Sequence, residues 1–145
     1  MKSNIVPQMI VSFALECKLE QIVSGGYAPV DRLMGREAIE SVLDHYRLPE
    51  GAVWAEPISL AVPSALGFSL GDRVAFVAKD SGEQLGWLEV DSIDPFDWAL
   101  ISKRWFGTTD IRHPGVRRLK ESGDRFIGGR VSLERRRIPN FSAYA

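Results

Sequence analysis

Cysteine is nearly absent from this sequence of 145 residues: Cys17 stands alone, so no disulfide can form within the chain and nothing points to an oxidising compartment. Histidine is almost as scarce. His45 and His113 share no metal-ligand spacing with each other or with Cys17, and neither CxxC nor HExxH nor HxH occurs. No metal and no cofactor is therefore expected. GxSxG, the P-loop and GxGxxG are missing too, which removes the nucleophile elbow and the glycine-rich phosphate cradle. Long apolar runs are also lacking. Met9 to Leu15, behind Lys2 and ahead of Cys17, has the outline of a lipoprotein signal, but Pro7 precedes it and Glu16 stands where cleavage needs a small residue. A strand over Ile5 to Leu15 explains it better, with no membrane partner and a cytoplasmic location by default.

What is present is the material of an ordinary globule. With 45% hydrophobic and 26% charged residues, a chain of this length can remove roughly two thirds of its unfolded surface from water without a staple. No repeat, low-complexity tract or linker-like stretch divides it, so residues 1–145 are expected to form one domain. The net charge of −1 hides a division. Residues 1–100 hold 7 Lys and Arg against 15 Asp and Glu, a net −8, and residues 101–145 hold 11 against 4, a net +7. A basic C-terminal third of this kind attracts phosphate, sulfate, RNA or an acidic partner, unless it is neutralised by neighbours within the fold.

Local patterns alternate between short helices and short strands. A helix over Glu20 to Val23 ends at Ser24-Gly25-Gly26. From Arg36 to Tyr46 the residues Ala38, Ile39, Val42, Leu43 and Tyr46 line one helical face. Trp54 to Val62, Arg73 to Ala78, Gln84 to Val90 and Phe126 to Leu133 read as strands, the middle pair joined by Asp80-Ser81-Gly82-Glu83 as a hairpin. Asp94-Pro95 predicts a helix with Asp94 as its cap, running to about Trp105, and His113-Pro114 predicts another that Gly123 stops. Gly128-Gly129 marks a bulge or a close backbone approach. The result is an α+β domain around a small β-barrel.

Candidates for chemistry are few. Glu56, Glu89 and Asp91 could serve as acid and base at a barrel mouth, and Cys17 would need a base brought to it through space. The stronger candidates are basic. Arg112, His113, Arg117, Arg118 and Lys120 cluster about a helix start, and Arg135, Arg136 and Arg137 follow the last strand; with Trp105, Phe106 and Phe141 nearby they are placed for anions or bases. Arg stems also cover apolar surface and pair with acids such as Glu121, Asp124 and Glu134.

Several motifs then fall in a recognisable order. Leu19-Glu20-Gln21-Ile22 through Met34 resembles the D-L-E-x-I-x-x-G-x-F-x-P-L-x-G-F-M signature of ATP sulfurylase (sulfate adenylyltransferase). Gly51-Ala52-Val53-Trp54-Ala55-Glu56-Pro57-Ile58 resembles its G-x-x-W-x-x-P-I, and Leu88-Glu89-Val90 a strand before an acidic turn. Phe106-Gly107-Thr108-Thr109-Asp110 with His113-Pro114-Gly115-Val116 resembles F-G-T-x-D-x-x-H-P-G-V, and Gly123 to Val131 completes the set. The resemblance implies the N-terminal domain of that family, a PUA-like β-pseudobarrel with short flanking helices. The family's catalytic Q-x-R-N-P run, H-x-x-H motif and G-R-D loop are missing, so no catalytic residue carries over. Lys18 stands where the family has Asp, and Arg32 where it has a Gly that could demand a positive φ. Trp54 and Ile58 are expected in the barrel interior. The expectation is a stand-alone, non-catalytic PUA-like module, partnered by a catalytic sulfurylase-type protein or by itself as a homo-oligomer. An RNA-binding module and a fragment of a full-length sulfurylase are the alternatives.

Overall fold

In a computed structural model, residues 6–134 are described. They form two compact units: one takes the chain up to Leu33, Gly71–Val90 and the chain from Gly129, the other Met34–Leu70 and Asp91–Gly128. The fold class is α+β, with the mixed sheet and flanking helices expected of a PUA-like domain.

In the first unit the strand order is β1-β4-β5-β6-β2. β1 (Gln8–Val11) runs parallel to β4 (Arg73–Ala78), and β4 pairs antiparallel with β5 (Gln84–Pro95). The β4–β5 connection is the hairpin the sequence predicts: Gly82 takes φ +72 and donates to the Ala78 carbonyl at 2.9 Å, a conformation that costs a residue with a Cβ. β2 (Arg32–Leu33) adds to β6 (Arg125–Leu133). Arg32 lies in that strand with no positive φ, so its substitution for glycine imposes no strain. Val74, Phe76, Leu85 and Leu88 are fully buried, each supplying roughly 1.5–3 kcal/mol of burial free energy. At the centre, a Cβ on Gly129 would stand 1.9 Å from the Glu89 carbonyl oxygen, so the expected close approach is real.

The strand expected over Ile5 to Leu15 is only half right. Ser12 has extended backbone, and its Oγ accepts from the Leu15 amide, which starts helix α1 at Phe13 and carries it to Ser24. The apolar run Phe13-Ala14-Leu15 thus belongs to a helix that buries Leu19 and Ile22, not to a strand.

In the second unit α2 (Arg36–His45) buries Ile39 and Val42, but Tyr46 leaves the predicted face because it caps the helix at φ 54 and is 63% exposed. Of the strand expected over Trp54 to Val62 only β3 (Ala61–Val62) forms, paired with Phe126 and Arg125. The segment before it is buried from Pro57 onward yet spends its carbonyls singly: Ile58 accepts from the Met34 amide and Leu60 from Ile127, each at 2.9 Å. Ile58 is buried as expected, whereas Trp54 is half-buried. The helix predicted from Asp94-Pro95 begins later. β5 continues through Pro95 because the Phe96 amide donates to the Asp124 carbonyl and its ring stacks on Phe126 at 4.0 Å. Asp97 then caps α3 (Trp98–Phe106) by accepting from the Ala99 amide. α4 (Pro114–Ser122) begins and ends where predicted.

Candidate functional site

The basic residues singled out by the sequence are organised by the loop joining α3 to α4, in the second unit. The loop is built from the inside by short polar links. Thr108 Oγ1 accepts from the Asp110 amide at 3.1 Å, and Asp110 Oδ1 accepts from the Arg112 amide at 2.9 Å. The Asp110 carbonyl takes the His113 amide at 2.9 Å. These are the turns that Thr and Asp side chains favour because they imitate backbone acceptors. His113 then caps α4: its Nδ1 accepts from the Gly115 amide at 3.0 Å, which assigns the ring proton, when neutral, to Nε2. Phe106 lies over His113 with centroids 4.9 Å apart, and a Cβ on Gly115 would come within 2.6 Å of the Phe106 ring. The F-G-T-x-D and H-P-G-V residues are therefore the parts of one helix–helix corner.

That corner fixes the cations. Arg112 meets Asp110 in a fork, Nη2 to Oδ2 at 2.7 Å and Nε to both oxygens, although its side chain is 89% exposed. The Arg112 guanidinium holds the Asp110 carboxyl below the ordinary aspartate value, helped by the Arg112 amide, and Asp110 raises Arg112 in return. Arg117 sends Nε to the Ile111 carbonyl at 3.4 Å. Lys120 holds its ammonium 5.0 Å over the Trp98 ring. Ile111, Arg112, Arg117, Lys120 and Glu121 line an open groove of ≈ 530 Å³ along α4. Arg118 points to solvent on the same helix. His113 is occupied as a cap and does not line the groove. Arg135, Arg136, Arg137 and Phe141 lie outside the described residues.

Other acids and nucleophiles stand apart. Asp124 accepts from the Ser64 amide at 2.8 Å and pairs with Arg125 at 3.0 Å, and Glu134 accepts from the Trp87 indole at 2.6 Å. The Ser64 amide holds the Asp124 carboxyl below its ordinary value, despite some opposing burial. Glu56, Glu89 and Asp91 are exposed and line no enclosed cleft among the described residues. Burial pushes the Cys17 thiol up, and Glu16 adds to it, the opposite of an activated nucleophile. Among the described residues no three His, Cys, Asp or Glu are grouped to hold a metal, and no helix is long and apolar enough to cross a membrane. Sequence reasoning missed the role of Ile111. A single aliphatic residue between Asp110 and Arg112 carries no periodic signal, and only the fold shows that it is exposed beside Arg117.

Comparison with known proteins gives a consistent set. A PUA-like domain model matches residues 1–136. A sulfate adenylyltransferase of Synechococcus sp. is 33% identical over 146 residues, covering 99% of this chain and 37% of that protein. The enzyme of Symbiobacterium thermophilum is 35% identical over 144 residues, with the same coverages. That of Psychrobacter cryohalolentis is 37% identical over 115 residues, covering 75% of this chain and 27% of that protein. The chain thus spans about a third of the length of the curated relatives it matches. Among solved structures, a hexameric APS kinase from Thiobacillus denitrificans shares the fold at a TM-score of 0.63 and 21% identity, over 95% of this chain and 23% of that one.

Proposed function

Because the chain belongs to the PUA-like domain family, we propose that it is a binding and assembly module of sulfate activation and not itself a catalyst. The observation that carries the reading is the use to which the family-like residues are put. Phe106, Thr108, Asp110, His113 and Gly115 spend their side chains, or the lack of one, on the α3–α4 corner. Residues of that kind make a scaffold, and a scaffold alone specifies no chemistry. The similarity to sulfate adenylyltransferases over about a third of their length supports the pathway. The lack of a Q-x-R-N-P run, an H-x-x-H motif and a G-R-D loop supports the non-catalytic part. Residues 1–145 are read as one PUA-like domain, with Arg112, Arg117 and Arg118 on its partner-binding surface. The partner is a sulfate adenylyltransferase-type catalytic protein, or a second copy of this chain.

Two measurements test this. Purified protein given ATP and sulfate should release no pyrophosphate above a blank, and robust turnover overturns the non-catalytic reading. On a sizing column it should either shift when mixed with a sulfate adenylyltransferase or run as an oligomer by itself; separate elution as a monomer at micromolar concentrations removes the assembly reading.

A further inference from the structure

Resting on that module reading, we propose that the groove along α4 is a docking surface whose occupant is an acidic segment of a partner protein, with aliphatic side chains set among its carboxylates. α4 has no acid in its first turn, and Arg117 and Arg118 add their charge near its N-terminus, the positive end of the helix dipole. Arg117 and Lys120 are three residues apart on the exposed side, so like charges neighbour one another. Among the described residues, Arg117 commits Nε to the Ile111 carbonyl and Lys120 rests on the Trp98 ring. The two Arg117 terminal nitrogens and the three Lys120 N–H groups are left for a ligand.

Charge alone does not choose between a nucleic acid and a protein, but the neighbouring side chains do. Single-stranded nucleic acid is held by aromatic faces on which bases stack. Among the described residues the rings near the groove already have partners: Trp105 lies on Phe106 at 4.9 Å, Phe106 also faces His113, and Trp98 carries Lys120. The open apolar group in the groove is Ile111, 51% exposed. An aliphatic contact flanked by unspent cations matches an acidic peptide with Leu or Val between its carboxylates. Glu121, which also lines the groove, repels a carboxylate placed beside it and so favours an aliphatic residue of the segment there.

The probe is a short fluorescein-labelled peptide in which Asp and Leu alternate, titrated with the full chain and read by anisotropy, beside poly-glutamate and oligouridine of equal charge. The full chain should prefer the Asp-Leu peptide. Arg117→Glu with Lys120→Glu should weaken it at least about tenfold, as removal of close charge pairs does at interfaces. Ile111→Ser should weaken it about threefold, while circular dichroism melts show both variants folded. Unchanged affinity in the charge-reversed variant overturns the proposal, as do equal binding of poly-glutamate, indifference to Ile111→Ser, or tighter binding of oligouridine. The sizing column separates this from the broader reading. If a sulfate adenylyltransferase co-elutes with both wild type and the charge-reversed variant, the groove proposal falls and the module reading stands. If the peptide binds through the groove but the chain elutes separately as a monomer, the reverse holds.

Discussion

Replacing Gly115 by Ala sets two effects of opposite sign against each other, and the geometry decides the winner. Alanine is the better helix former by about 1 kcal/mol in a helix interior, and less at the second residue of α4 where Gly115 stands. Against this, the new Cβ would lie 2.6 and 2.7 Å from two Phe106 ring carbons and 3.1 Å from the His113 ring. Carbons rest at about 3.5–4.0 Å, so the ring must retreat by about 1 Å. It has little room, with Trp105 and His113 each 4.9 Å away between centroids. Forced overpacking of this kind costs about 1–3 kcal/mol. Gly115→Ala should therefore destabilise by about 1–2 kcal/mol, a fall in Tm of about 2–8 °C for a chain of this size. Urea titrations of Gly115→Ala, Phe106→Ala and the double variant measure the coupling. In the Phe106→Ala background the clash is gone, and Gly115→Ala should become neutral or mildly stabilising. The same destabilisation in both backgrounds would refute the argument.

Close approaches within the sheet should be less forgiving still. A Cβ on Gly86 would sit 2.0 Å from the Ser132 carbonyl oxygen, so Gly86→Ala should cost about 3 kcal/mol or more by calorimetry, and a melt within a degree of wild type would contradict the register. Acid should weaken the fold in a defined direction. Asp110 and Asp124 have folded values below their ordinary one, so the stability they add is full above the unfolded aspartate value of about 3.9 and is lost as pH falls through the folded values. Asp110→Asn should flatten the urea midpoint against pH between about 5 and 2, and an unaltered profile counts against the Asp110–Arg112 pairing. Cys17, raised by burial, should react with a disulfide reagent at neutral pH more slowly than in urea, and equal rates would show it exposed.

Legibility from sequence followed the range of the interactions involved. His113-Pro114, Gly123 and the Asp80 to Glu83 turn were readable because cap and turn chemistry spans a few residues and is encoded by residue type. Asp94-Pro95 misled because Asp94 and Asp97 are equally good caps. The choice was made by the Phe96 amide meeting Asp124 and by the Phe96 ring meeting Phe126, both distant in sequence. Trp54 to Val62 misled because alternation reports which side chains are buried, not whether a neighbouring strand is there to complete a ladder. At the candidate site the cations were visible in sequence, but their availability was not. Arg112 is tied to Asp110 and His113 to the Gly115 amide, whereas Arg117 and Lys120 keep donors to spare.

By itself, then, the sequence determined the class of the fold, the start and stop of its locally capped helices, and the want of disulfide, metal-site and nucleophile motifs, since each rests on residue type and short spacing. Tertiary structure decided where β5 yields to α3, how much of Trp54 to Val62 becomes strand, and which cations of the basic third face a groove beside Ile111. Those outcomes depend on hydrogen bonds and ring contacts between segments far apart in the chain, and no spacing along the sequence encodes them.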